Sequence, residues 1–445
     1  TTEIYTLSLH DALPIFPFMS HFTNVIDDVK NFANKKLFAL LFLLAYFILM
    51  AYALVRPASN SVLISAYGED GLVYAWIITA LLIPLFVYGY NYLISIFRFT
   101  HVFTAMVLLI MGLSFVFRHC LETAPKYTAL ALYIWKDIYI LILVEQVWVL
   151  CNTTYSQNEG KTFYGLLTAS GSLGAITGNL FTQYLSKSIG SYNLILLSVI
   201  PHIFVLILFL ACVRVRNRDR RVVEKSERQK PQKFSPNGGF AMVFSSRYLL
   251  MIFCVIGLIQ LITSLTDYQL NAKIKEMIQN VDERTAYIGK VYTTLESVAF
   301  VCQIFISALL LRYWGLFKTH VAIPMVSLLF ITVFTIVPHL FFISMAFISV
   351  KSLDYSLFRA AKEILYMPLS EEVQYKSKSV IDIFSYRACK AISSMIILGL
   401  KQLPIDKIFL INCTMIGAFL LWLILIASVV RKFSATYRSG AEEGP

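Results

Sequence analysis

Charge is scarce in this chain. Asp, Glu, Lys and Arg make up 14% of its 445 residues, against about 25% in an ordinary soluble domain. Apolar side chains make up 58%, more than a water-soluble core can hide. That balance excludes a soluble enzyme, a secreted disulfide scaffold and a disordered chain, and leaves an integral membrane protein. The seven cysteines, Cys120, Cys151, Cys212, Cys254, Cys302, Cys389 and Cys413, form no CxxC pair and lie mostly inside apolar runs. They read as small buried hydrophobes rather than zinc ligands. No P-loop, HExxH or GxSxG motif occurs, so no catalytic activity, metal or cofactor is expected. The first residues, Thr1–Ile15, lack both the basic start and the cleavage site of a signal peptide. Residues 1–18 read as an adapter-like, non-native leader, with Met19 as the natural start.

Apolar runs are what is present in abundance. A helix needs about 20 mostly apolar residues to cross a bilayer. Twelve such stretches are predicted, at 37–56, 71–93, 102–117, 128–151, 163–185, 191–213, 248–270, 288–311, 320–337, 340–361, 379–400 and 407–430. Between the sixth and seventh lies RVRNRDRRVVEKSERQKPQK, residues 214–233, with nine basic residues against Asp219, Glu224 and Glu227. Its surplus is half of the chain's net charge of +12. Positive loops stay cytoplasmic, so this one predicts a cytoplasmic linker and, with an even number of spans, two cytoplasmic termini. Nucleic-acid or lipid binding by the run is the alternative; no nucleic-acid partner is expected.

The predicted organisation is an N-terminal segment 19–36, a six-helix half 37–213, a basic linker 214–247, a second half 248–430 and a tail 431–445. This is an all-α membrane protein of twelve transmembrane helices in two six-helix halves. The layout resembles the major-facilitator transporters, whose halves are related by an axis along the membrane normal. A faint internal repeat agrees with it: Leu54 and Leu265, and Asn60 and Asn271, are each 211 residues apart.

A charge at mid-membrane costs about 2.5–3.5 kcal/mol on insertion scales and usually faces a cavity or a partner. The spans nevertheless carry Arg56, Lys136, Asp137, Glu145, Asp267, Glu296, Lys351, Asp354 and Arg359. At about 100° per residue, Lys351 and Lys362 fall on one line of the tenth span, flanked by Asp354 and Arg359. Gln260, Ser264, Asp267 and Asn271 share a face of the seventh, Glu296 and Gln303 one of the eighth, and Tyr52, Arg56 and Ser59 one of the first. Four polar stripes are what a central translocation path requires. Local pairing is the competing explanation for any single charge. Lys351 can neutralise Asp354, Lys136 and Asp137 can pair with a neighbouring helix, and Arg56 can snorkel to the interface.

The fifth span carries Gly171, Gly174 and Gly178; close helix packing and gating flexibility are the two roles such spacing offers.

Two segments carry a family resemblance. One is Glu145–Asn179, with its glutamate and tryptophan followed by a glycine-rich helix. The other is Leu353–Ala391, in which Tyr355 to Phe358, Lys362, Glu363, Tyr366, Pro368 and Leu369 precede Lys376, Lys378, Ile381 and Asp382. Both resemble the nucleotide transporters of plastids and intracellular bacteria, of the ATP/ADP translocase type. The resemblance implies a multi-pass transporter of the bacterial inner membrane, exchanging ATP for ADP or importing nucleotides with protons. It also implies that Lys362 meets substrate phosphates and that Glu145 pairs with a cation or serves coupling. The chain departs from the family at Ser59 and Asn60, where a lysine and an aspartate are usual. It departs again at Leu265, in place of a glutamate, and at Arg359, in place of an aspartate.

The expectation is therefore alternating access for an anionic small molecule, with ATP or ADP as the family-based choice. Arg56, Lys136, Lys351, Arg359 and Lys362 are the substrate-binding candidates. Glu145, Asp267, Glu296 and Asp354 are the candidates for charge pairing or for a coupling proton. A same-fold transporter of a different solute, and a membrane protein that no longer transports, are the competing readings.

Overall fold

The computed structural model describes residues 35–152, 157–223, 236–366, 369, 373, 377, 381, 385–404 and 406–442. The leader 1–18, most of the basic run, and Lys376, Lys378 and Asp382 of the family-like segment lie outside these.

The described residues are helical, without strands. The first half begins with α1 (Lys35–Tyr67), α2 (Asp70–Ile96), α3 (Phe99–Thr123) and α4 (Pro125–Asn152). It continues with α5 (Gln157–Ile189), the short α6 (Ser191–Leu197) and α7 (Val199–Val223). After α8 (Pro236–Ser245), the second half has α9 (Arg247–Met277), α10 (Val281–Val301) and α11 (Ser307–Tyr313). Then come α12 (Gly315–Ile336), α13 (Leu340–Leu353), α14 (Arg359–Tyr366), α15 (Ser385–Leu400) and α16 (Lys407–Glu442). Two π-helical segments, Cys302–Ile306 and Asp354–Phe358, join α10 to α11 and α13 to α14.

Nine helical stretches among the described residues are long and apolar enough to cross a membrane. Three of the predicted spans, at 163–185, 288–311 and 379–400, fall in helices outside those nine. Their composition has a packing reason. α5 lies between α1 and α10, so its surroundings are protein, and small or polar residues cost little there. Conversely Leu81, Leu85, Phe115, Ile207, Leu329 and Ile424 are each more than half exposed, as a lipid-facing belt requires. The basic run also differs from a plain loop, because α7 carries helix through its first part, to Val223.

The α1–α5 seam is built from small residues. A Cβ at Gly174 or Gly178 would overlap the carbonyl oxygens of Tyr46 or Met50, so only glycine allows this approach. Gly171, by contrast, would meet Leu49 at an ordinary 3.4 Å. Pro57 lies inside α1 and has no N–H to give the Ala53 carbonyl. Thr182 of α5 supplies that bond instead, its hydroxyl donating to Ala53 O at 3.1 Å.

Among the described residues, short connections follow α1, α2, α3, α5, α9 and α12, and helix ends gather at two faces of the molecule. At the face remote from the basic run, the halves are tied together. Gly68 ends α1 with φ +73° and lies against Lys275. Lys275 pairs with Glu69 at 3.3 Å, Lys401 pairs with Asp70, and Lys187 with Glu283 at 3.5 Å. Tyr268 donates to Asp70, and Ser191 donates to Asp282 through both its N–H and its hydroxyl. Arg284 is 2% exposed and donates to the Ser61 carbonyl and the Ser65 hydroxyl.

The apolar core follows the same division. Val55, Val62, Leu63 and Trp76 of the first half share one buried cluster with Leu265, Tyr292 and Phe347 of the second. Nearer the basic run, Leu37, Leu41, Leu44, Phe103, Leu143 and Phe209 form a separate cluster from the first half alone.

Candidate functional site

A cavity of about 550 Å³ lies between the halves, within the roughly 300–1,000 Å³ usual for small-molecule sites. Residues from α1, α2, α4, α5, α9, α10, α13, α14, α15 and both π segments line it. Among the described residues, five cations, Arg56, Lys136, Lys351, Arg359 and Lys390, and three carboxylates, Asp137, Asp267 and Glu296, reach its wall.

Arg56 is held across the interface. Its guanidinium lies 3.8 Å from the ring centre of Tyr292 on α10 and 5.7 Å from that of Tyr52 on α1. Glu296, one turn beyond Tyr292, faces it, as does Asp137, and the Glu296 carboxylate also faces Lys351 and Arg359. The row on α1 is Tyr52, Arg56 and Asn60, rather than the expected Tyr52, Arg56 and Ser59. Ser59 is fully buried and donates back to the Arg56 carbonyl at 2.9 Å.

A second charged group gathers around Asp137. Lys136 is 2% exposed, pairs with Asp137 at 2.7 Å and lies 3.6 Å from the Tyr133 ring centre. Thus Lys136 and Asp137, open to pairing with another helix on the sequence alone, pair with each other. The Tyr52 hydroxyl donates to Asp137 at 3.5 Å. Lys390, on α15 of the second half, faces Asp137 and rests over Trp76 of α2, 4.9 Å from its ring centre. Trp76 is fixed in turn by donating to the Tyr133 hydroxyl at 2.9 Å. Arg56 and Lys390 therefore rest on aromatic faces of the opposite half, in opposite directions.

Six of the nine residues singled out in the sequence line this cavity: Arg56, Lys136, Lys351, Arg359, Asp267 and Glu296. Asp267 also accepts from Asn271, one turn on, at 2.8 Å. Glu145, Asp354 and Lys362 do not line it. Glu145 is exposed on α4. Asp354 is half-buried, accepts from Gln260 and faces Lys351, Arg359 and Lys362.

The tenth span shows why Lys362 separates from Lys351. Regular α-helical spacing puts the two on one line and sets Arg359 to the side. The π segment Asp354–Phe358 intervenes, and its i→i+5 bonding adds a residue to the turn. The line that faces the cavity becomes Lys351, Tyr355 and Arg359, and Lys362 rotates off it. The other π segment, Cys302–Ile306, packs against this one, with Cys302 hydrogen-bonded to Ser356.

Several lining residues carry little or no sequence signal. Sequence reasoning missed Lys390, although a charge within the apolar span 379–400 is a signal that could have found it. Asn60, Thr79 and Asn179 are neutral and scattered over three helices, and only the fold brings them to one wall.

The chain matches two family models. The Major Facilitator Superfamily model covers residues 149–359, and the TLC ATP/ADP transporter model covers residues 331–433. "ADP,ATP carrier protein 5" of Rickettsia conorii is 21% identical over 308 residues, covering 59% of this chain and 60% of that protein. The chain thus spans about three fifths of that relative's length. Its counterpart in Rickettsia bellii is 21% identical over 459 residues, covering 85% of this chain and 89% of that protein. Among solved structures, the nucleoside transporter NupG superposes with a TM-score of 0.61 at 10% identity, over 90% of this chain and 99% of that one. The peptide transporter POT in complex with sulfate superposes with a TM-score of 0.64 at 12% identity, over 90% and 95%. The fold is that of the major-facilitator transporters, and the sequence resembles the ATP/ADP translocase type. These similarities are to transporters, not to enzymes.

Proposed function

We propose that the protein is a secondary transporter for an anionic small molecule, working by alternating access between its two halves. The carrying observation is the cavity wall, where five cations meet three carboxylates. Charge in a membrane interior is expensive and faces a partner or a cavity, so a wall rich in cations suits an anionic occupant. Nucleotide is the substrate class that the resemblance to ATP/ADP carriers supports. In this reading twelve spans form the halves 37–213 and 248–430, and α5, the α10–α11 stretch and α15 are the three interior spans. The bilayer is the inner membrane of a bacterium, with both termini and the basic linker cytoplasmic. The tied face is then the outer one, and the cavity opens toward the cytoplasm.

The test is counterflow in liposomes loaded with unlabelled ATP and supplied with labelled ATP, ADP, other nucleotides or small organic anions. Accumulation of a nucleotide is expected, and its absence for every nucleotide would reject that substrate class. Exchange and proton symport separate in the same preparation. A symporter loses uptake when the proton gradient is collapsed, with Asp267 and Glu296 as the candidate carriers. A strict exchanger needs only internal counter-substrate.

Transport of a non-nucleotide anion is the second reading. Ser59 and Asn60 favour it, since they stand where nucleotide exchangers of this type carry charges. Uptake of an organic anion with no nucleotide counterflow would select it.

A further inference from the structure

Among the described residues, three buried polar atoms on the cavity wall have no hydrogen-bond partner: Oδ1 of Asn60, Oγ1 of Thr79 and Oδ1 of Asn179. Their residues are 4%, 7% and 2% exposed. Buried polar groups are almost always bonded, and each exception needs an explanation. All three come from the first half, on α1, α2 and α5. Asn60 stands one turn beyond Arg56 on the same line, and Thr79 stands one turn beyond Trp76. The two amide oxygens are acceptors and repel an anionic group, while the hydroxyl can donate or accept. Two amide oxygens and a hydroxyl suit an uncharged ligand group that presents hydrogen-bond donors.

We propose that Asn60, Thr79 and Asn179 form a neutral subsite that recognises the donor-bearing, uncharged part of the transported anion. Sugar hydroxyls and an exocyclic amine are the two sources of that chemistry. The inference rests on the anionic reading of the cavity and divides it into a charged region and a neutral one. The charged region binds any suitable anion, and the neutral region discriminates among them.

The division makes an unusual demand on variants. Replacing an unsatisfied buried polar group with an apolar one of similar shape is neutral or stabilising. Thr79→Val, Asn60→Leu and Asn179→Leu should therefore leave the melting temperature of the empty protein unchanged or raise it, while selectivity falls. A structural role for these residues predicts a lowered melting temperature.

The experiment measures binding of inorganic phosphate, ribose 5-phosphate and adenosine 5′-monophosphate to the purified full chain, by ligand-induced thermal stabilisation. The wild type should bind at least one of the organic phosphates about three-fold or more tightly than phosphate, the worth of a single hydrogen bond. The variants should lose that preference while phosphate binding stays within error. Loss for both organic phosphates assigns the sugar hydroxyls, and loss for the nucleotide alone assigns the base. Arg56→Gln should weaken all three alike. Equal binding of the three by the wild type, or a preference that survives in the variants, overturns the subsite and leaves the anion site standing. Binding of none of the three rejects the anionic reading, and the subsite with it.

Discussion

Arg56 is the cation on which the halves meet over the cavity. It uses an aromatic face rather than a bonded carboxylate, and such a contact is worth about 2 kcal/mol when desolvated. Breaking a buried ion pair by removing a partner costs about 3–5 kcal/mol. An entering anion can therefore recruit Arg56, and likewise Lys390, at modest cost. Arg56→Gln should reduce anion uptake about ten-fold or more, as expected for a charged hydrogen bond of about 1.5–3 kcal/mol. Arg56→Lys should fall between, since a point charge lacks the planar fork that stacks on Tyr292. Lys390→Gln should show a similar loss and Lys390→Arg should recover it; initial uptake rates against concentration measure both. At this scale Arg56, Lys136, Lys351 and Arg359 were readable in the sequence, because an ionised group in an apolar run has few explanations; Lys390 was missed. Asn60, Thr79 and Asn179 were not, since neutral polar residues occur in spans for many reasons and only an absent partner marks these.

Elements show what periodicity conveys and where it stops. The glycine spacing in α5 left close packing and gating flexibility open, and the geometry shows the contact: Gly174 and Gly178 bring α5 onto the α1 backbone. Gly174→Ala should destabilise the protein by about 1–3 kcal/mol through overpacking, read as a lowered melting temperature in detergent. Gly171→Ala should be close to neutral, because its new methyl meets only Leu49 at 3.4 Å. The phase of the tenth span was misjudged between Lys351 and Lys362 because the extra residue of a π segment leaves no mark in composition. Lys362→Ala should consequently perturb uptake less than Lys351→Ala, which removes a cavity-wall cation; transport kinetics of the two variants decide this.

At the scale of the whole molecule, the face remote from the basic run carries the inter-half ties, while the first half keeps a separate apolar cluster at the other end. The all-helical, membrane-spanning character was visible in the sequence because long apolar runs dominate it. Which face is closed was not visible: Asp70 and Lys401, or Glu69 and Lys275, are far apart in the chain and meet only through the fold. A double-mutant cycle on Asp70→Asn and Lys401→Gln should give a coupling of about 0.5–1 kcal/mol, typical of a partly exposed pair. Zero coupling would remove that pair from the tie.

The placement of these ties has a consequence for the medium outside the protein. Each change of about 1.4 kcal/mol in the balance between two conformations shifts their populations ten-fold. Exposed ion pairs weaken as the surrounding electrolyte thickens. Lys187 and Glu283 are 61% and 56% exposed, and Lys275 is 41%, so the solution at that one face screens them directly. The solution at the other face is a membrane thickness away and does not. Under the proposed alternating access, the resting posture would be tuned by the salinity of the single compartment that this face meets, and two cells with identical interiors but different surroundings would hold the protein poised differently.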